Sequence, residues 1–314
     1  MAALAGEIAG RLGAQVAGTP EALMASGVDG VVIAAPTDLH PELIRRCLAA
    51  GLPAFCEKPV ALDSAEAARL ARQVADAGVE VQVGYPRRFD AAFAAARVAV
   101  AGGELGWVHT VRSTTLDPAP PTQAYVAASG GIFRDCAVHD FDAIRWVTGQ
   151  EVTEAYAAGA NLGADWFAGF GDVDTASAVL TLSGGALAVV SNSRYNARGH
   201  DVQLEVHGSK DSVAAGLGPG LPLRSAEPGV SFQDGKPFTF FMDRFAAAFR
   251  AELTAFTEVV AGRRTSPCTV ADAVETGWVA EACTLSWREH RPVRVDESGS
   301  RDLVPGPRTA PHGC

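Results

Sequence analysis

Positive charge is in short supply in this chain of 314 residues: 26 Lys and Arg face 36 Asp and Glu, for a formal net charge of −10. That deficit argues against nucleic acid, whose phosphates demand a basic face, and against an anionic membrane surface. Long apolar runs are missing too, since no stretch reaches the ~20 residues of a membrane helix. The opening, MAALAGEIAGRLGA, lacks the basic segment and apolar core of a secretory signal. The expectation is a cytoplasmic protein. Metal-binding spacing is lacking as well. The six cysteines form no CxxC pair and the seven histidines no HxH or HExxH, so no metal site is expected. Scattered cysteines of this kind read as reduced, buried, small hydrophobes, with Cys314 exposed at the end of a tail.

What is present is the composition of a soluble globular protein, 48% apolar and 20% charged, with length for two ordinary domains. Over residues 1–85 helical and strand patterns alternate. The runs VDGVVIAAPT, LPAFCEKP and VEVQVGY are apolar and rich in β-branched residues, as buried parallel strands are. Between them lie the amphipathic DLHPELIRRCLAAG, closed by Gly51, and LDSAEAARLARQVADAG, with Asp63 and Glu66 placed for a capping box. Such alternation means βαβ units and a parallel sheet.

After Tyr85 the character changes. A helix and a strand (WVHTVRSTTL) lead to a Pro/Ala-rich loop over 117–124, then GGIFRDCAVHDFDAIRWVTG, read as one helix ending at Gly149. Several strands follow, with a hairpin at Ser183-Gly184-Gly185, then two long helices and a last strand, RPVRV. The second half is therefore α+β with a mostly antiparallel sheet, over residues 86–296, and 297–314 reads as a disordered tail. A broad sheet with one uncovered face tends to pair with another, so a homo-oligomer, a dimer or tetramer, is expected.

Three features carry chemistry. Lys58, in EKP, ends a parallel strand, where ligands of open α/β sheets bind; a lone lysine is otherwise a solvated charge. Asp135 and His139 are four apart and so share one helical face, able to address one ligand or merely to pair. The adjacent Gly130 and Gly131 suggest a close backbone approach. Arg87 and Arg88, in GYPRRFD, stand at the domain junction as a surface ion pair or a substrate clamp.

Taken together, APTDLH, EKP, GYPRRFD and GGIFRDCAVHDFDAIRWVTG resemble the glucose–fructose oxidoreductase / inositol dehydrogenase / MocA family, and within it the inositol 2-dehydrogenase-like branch. The resemblance extends to about residue 296. It implies a Rossmann-type parallel sheet followed by an α+β domain with a large open sheet. It also implies NAD or NADP as cofactor and hydride removal from a ring hydroxyl of a cyclic polyol or sugar. By the same resemblance Lys58 and His139 share the proton work and Asp135 orients substrate and lysine. Arg87, Tyr195, Asn196 and His200 contact substrate, and Pro36, Thr37, His40, Glu57 and Lys58 contact the cofactor. Inositol dehydrogenases often carry tyrosine where His200 stands. The chemistry suits these residue types: histidine is a base near neutral pH, and an ammonium stabilises developing alkoxide.

One expected part is not in this sequence. The family opens with a strand, a GxGxxG turn and a helix, whereas GGELG near 104 and GLGPG near 218 read as loops. Residue 1 corresponds to a point just after the family's second strand, about 30 residues in. Two readings stay open. In one, the start is placed late in a complete enzyme, as the intact downstream motifs favour. Alternatively the chain is short, with apolar sheet edges uncovered, and serves as a catalytically weak binding or regulatory protein of the same fold.

Overall fold

The computed structural model describes residues 2–232 and 235–298. Its first half begins with helices α1 (Ala2–Leu12) and α2 (Pro20–Met24). The expected βαβ units follow: β1 (Val31–Ile33), α3 (His40–Ala50), β2 (Ala54–Glu57), α4 (Ser64–Ala77) and β3 (Val81–Gly84). The strands form a parallel sheet in the order β1-β2-β3. Gly51 and Gly78 close the two helices in the left-handed conformation, which costs glycine no Cβ clash. Strand β1 is an edge: Val31 and Ile33 are buried, but Val32 is 54% exposed.

The capping box at α4 is only half made. Asp63 accepts from the Glu66 amide at 2.7 Å, but the Glu66 carboxylate turns to the guanidiniums of Arg45 and Arg69. Two charged donors outcompete one neutral amide for that acceptor.

The second half begins with α5 (Ala91–Ala101), capped by Asp90, and β4 (Val108–Leu116). Here the structure corrects two expectations. The loop over 117–124 gives way at Gln123 to a short helix, α6 (Gln123–Ser129), capped by Thr122. The single helix expected up to Gly149 is two, α7 (Ile132–Asp135) and α8 (Val138–Thr148), broken at Cys136–Ala137. At the break the Ala137 amide reaches back five residues to Ile132, and the His139 amide turns to Cys136 instead of Asp135.

The remaining strands are β5 (Val152–Ala160), β6 (Thr175–Leu182), β7 (Leu187–Ser193), β8 (Asp201–Gly208) and β9 (Ser212–Ala215), with a one-turn helix α9 (Trp166–Gly169) between β5 and β6. Helices α10 (Phe241–Arg244), α11 (Ala246–Val260) and α12 (Val270–Glu289) lead to β10 (Val293–Arg294) and α13 (Val295–Ser298). The sheet has seven strands in the order β10-β5-β6-β7-β4-β8-β9. All neighbours are antiparallel except β4 and β7, which run parallel. The β6–β7 hairpin turns at Gly184-Gly185 as expected. Alternate residues of β6 and β7 are buried, so one face packs and the other is open, where Tyr156, Val179, Leu187 and Val189 are exposed. Helix α12 packs against both β5 and α4 and joins the two halves. The tail expected over 297–314 is corrected at its start, since residues 297 and 298 belong to α13; from residue 299 on it lies outside the described residues.

Candidate active site

Lys58 extends from the carboxyl end of β2 and reaches α7. Its Nζ donates to the main-chain carbonyl of Asp135 at 2.8 Å and to the carboxylate Oδ1 at 3.2 Å. The break between α7 and α8 makes this possible. An unbroken helix would give the Asp135 carbonyl to the His139 amide, whereas here that amide bonds Cys136 and leaves the carbonyl to the ammonium. Asp135 and His139 are brought together across an interruption, not along one helical face. An ammonium has three donors, so one N–H of Lys58 remains after Asp135 takes two.

Asp135 is 8% exposed and accepts from three side chains. Besides Lys58, the Tyr125 hydroxyl donates to Oδ1 at 2.7 Å and Arg194 Nη2 to Oδ2 at 2.7 Å. Burial pushes the pKa of this carboxyl up, but the charges of Lys58 and Arg194 and the Tyr125 bond outweigh it and hold it well below the usual carboxylate range. Arg194 continues the chain to Asp117 at 3.1 Å, and Asp117 Oδ1 lies 3.4 Å from His200 Nδ1. A series of alternating charge thus runs from Lys58 through Asp135 and Arg194 to Asp117, with the His200 ring beside its end. The Nε2 of His200 and the Nε of Arg194 are buried without a protein hydrogen-bond partner among the described residues.

His139 is partly buried, with its ring edge-on to Tyr85 at 5.9 Å between centroids. Burial, with the nearby charges of Lys58 and Arg87, drives its pKa well below the ordinary histidine value. It is therefore a neutral imidazole at neutral pH. This corrects the expectation of a histidine poised near the working pH without tuning. Neither ring nitrogen has a hydrogen-bond partner among the described residues, so both stay available to a ligand.

Helix α7 is held from its N-terminus. Gly131 has φ +91°, and a Cβ there would sit 3.1 Å from Asp172 Oδ1. That oxygen accepts from the Ile132 amide at 2.9 Å and the Val173 amide at 2.8 Å. The close approach inferred from the glycine pair is to this aspartate.

Arg87 and Arg88 are 3% and 8% exposed, and neither forms a surface pair. Arg87 donates to Asp140 at 2.7 Å and Thr115 at 2.6 Å. Arg88 grips Asp142 through Nε and Nη2. The Arg87 guanidinium, expected at the substrate, is engaged by the Asp140 carboxylate, next in sequence to His139. Asp140, with no exposure, also accepts from Ser113, Thr115 and Asn192 at 2.6 to 2.9 Å. Tyr195 lies beyond the end of β7, 40% exposed, its ring close enough to Gly163 that any side chain there would collide. The Asn196 carbonyl closes a turn by accepting from Gly199 at 2.9 Å.

Of the residues expected at the cofactor, Pro36 is exposed and Thr37 partly so, just past the carboxyl end of β1 and next in the sheet to Lys58's strand. His40 is 1% exposed, and its two ring nitrogens each lie 2.8 Å from a carbonyl, Pro59 and Ala35. It is a strut tying the EKP loop to β1 and has no ring atom free for a ligand. The carboxylate of Glu57 lies over Gly84, and burial raises its pKa. Tyr125, Arg194 and Asp117 were not singled out by sequence. Arg194 directly precedes Tyr195, but its role depends on its reaching Asp135 from beyond the end of β7, which no local pattern states. Among the described residues no group of His, Cys, Asp and Glu could hold a metal, and no helix is long and apolar enough to cross a membrane.

Comparison with known proteins gives consistent matches. Residues 2–85 match the oxidoreductase family with NAD-binding Rossmann fold, and 93–214 the GFO/IDH/MocA C-terminal domain. The chain is 36% identical to inositol 2-dehydrogenase of Rhizobium meliloti over 93% of its length and 88% of the relative's. Among solved structures, a myo-inositol dehydrogenase from Corynebacterium glutamicum superposes with TM-score 0.84 at 35% identity, over 92% of this chain and 86% of that one. The scyllo-inositol dehydrogenase of Lactobacillus casei, solved with NAD(H) and scyllo-inositol, gives 0.77 at 27% identity, covering 88% and 83%.

Proposed function

The chain belongs to the GFO/IDH/MocA family of NAD-binding oxidoreductases, and from that premise we propose that it oxidises a ring hydroxyl of an inositol-like cyclic polyol. The observation that carries this reading is the convergence of Lys58, from the parallel sheet, on Asp135 beside His139, from the other half. NAD supplies the hydride acceptor when bound. The exposed backbone at Pro36 and Thr37 fits a nucleotide laid across the strand ends, with Lys58 at the reacting end.

The residues divide the work by charge. The free N–H of Lys58 points a full positive charge at the substrate oxygen, where negative charge develops as hydride leaves carbon. Asp135 holds the ammonium by its carbonyl and its carboxylate, fixing direction and charge together. The neutral His139 imidazole accepts the hydroxyl proton, for which a depressed pKa keeps it unprotonated. His200, Tyr195 and Asn196 form the sheet-side wall against the polyol, and Arg87 acts by seating Asp140 next to His139. The enzyme works in the cytoplasm as a homo-oligomer paired through the open face of the seven-stranded sheet.

The test is formation of reduced nicotinamide with NAD and a panel of myo-inositol, scyllo-inositol and open-chain polyols. Turnover confined to cyclic polyols and abolished in K58A supports the reading. Equal turnover of open-chain polyols, or a K58A variant as fast as wild type, refutes it. Light scattering on a sizing column reads the assembly, and a monomer at micromolar concentration would remove the oligomer from the account.

A further inference from the structure

Tyr125 is half-exposed, yet its hydroxyl ends at one of the most enclosed carboxylates in the site. Local sequence dictates that placement. Thr122 caps α6 by accepting from the Tyr125 amide at 3.3 Å. Gly130 at φ +82° and Gly131 at φ +91° then reverse the chain into α7. The reversal folds α6 back on α7 and brings residue 125 to residue 135. Tyr125 and Lys58 meet on the same oxygen, Oδ1, with the tyrosine the nearer at 2.7 Å against 3.2 Å.

We propose that Tyr125 is a positioning residue for the lysine: by occupying Oδ1 it keeps the ammonium on the Asp135 carbonyl, with its third N–H toward the substrate. The inference rests, for its effect on turnover, on the dehydrogenase reading. Its structural part stands on the three-way contact alone. A carboxylate oxygen already holding a short phenolic bond offers Lys58 a weaker second one. The ammonium therefore settles on the carbonyl, at 2.8 Å. Without the phenol, Oδ1 becomes the stronger acceptor, and the ammonium swings from the carbonyl to the carboxylate, away from the reacting oxygen. The phenol suits the post because burial and the Asp135 charge raise its pKa, so it stays a donor at any working pH.

The chain offers a clean probe, since its lysines are only Lys58, Lys210 and Lys236. In protein labelled with 13C at the lysine ε-carbon, K58R identifies the Lys58 resonance. Y125F should displace that resonance and leave the Lys210 and Lys236 signals in place. Its kcat should fall about tenfold, the scale of one lost charge-assisted hydrogen bond, while the KM for NAD holds. Tyr125 lies near the surface, so the variant folds. T122A, which removes the cap, should move the same resonance in the same direction by less. An unmoved Lys58 resonance in Y125F overturns the proposal whatever the activity. A displaced resonance with kcat within twofold of wild type overturns its link to turnover. A preparation with no polyol activity in wild type tells against the dehydrogenase reading, and the resonance then decides this one alone.

Discussion

The side chain of Lys58 and the main chain of Asp135, 77 positions apart in sequence, meet at 2.8 Å. That bond joins the end of a parallel strand to a carbonyl exposed by a helix break, and it sets the direction of the only lysine in the site.

Replacing Lys58 with methionine keeps the stem and removes the charge. We expect kcat to fall by about 10² or more, the scale of losing one preorganised electrostatic donor. NAD affinity, read by fluorescence titration, should stay within a few-fold of wild type. A matching loss of NAD affinity would mean that the lysine serves cofactor binding.

His139 is held neutral by burial and by the charges of Lys58 and Arg87. The acid limb of kcat/KM should therefore lie well below the ordinary imidazole value of about 6.5, with a level profile from about pH 8 to about pH 6. The sign for stability follows. The unfolded chain takes a proton on this ring below about 6.5 that the folded chain refuses, so this group costs stability as pH falls through that value. An acid limb centred near 6.5 in wild type would contradict the assignment.

Asp140 has no exposure and accepts from Arg87, Ser113, Thr115 and Asn192. D140N retains the shape but strands a buried guanidinium. The expected cost is about 3–5 kcal/mol, seen as a lower urea midpoint with an unchanged slope. A midpoint like that of wild type would show that Arg87 finds another partner.

Glu252, on α11, is 1% exposed, and burial together with the Glu57 charge pushes its pKa up to about 9. Its unfolded value is about 4.3. Between those values the folded chain keeps a proton that the unfolded chain releases, so wild type loses stability as pH rises. E252Q is neutral throughout. It should equal or exceed wild type, by a margin growing on the order of 1 kcal/mol per pH unit from about pH 5 toward about pH 9. Urea unfolding at both ends of that window measures the margin, and a constant difference would place the ionisation elsewhere.

Elements set by neighbouring residues were legible in the sequence. The parallel strands, the Asp63 cap, the Gly51 and Gly149 helix ends and the Gly184-Gly185 hairpin all follow from local patterns. The break at Cys136–Ala137 was not, because both residues are ordinary helix members and the interruption is imposed by what α7 is tied to, Asp172 at one end and Lys58 at the other. The Asp135-to-His139 spacing therefore picked out two residues that meet across a helix break, not along one helical face. Arg87 and Arg88 read as a surface ion pair or a substrate clamp, and not as buried pairs, because their partners, Asp140 and Asp142, lie more than 50 positions away. His40 and Tyr125 exchanged expected standing for the same reason: burial and partner choice are decided by chain crossings, which composition does not encode.

The paired grips of Arg87 on Asp140 and Arg88 on Asp142 fall at the very point where the chain passes from one half to the other. Both acceptors sit on α8, the helix that also bears His139, so the chain enters the second half already clasped to the imidazole's own scaffold.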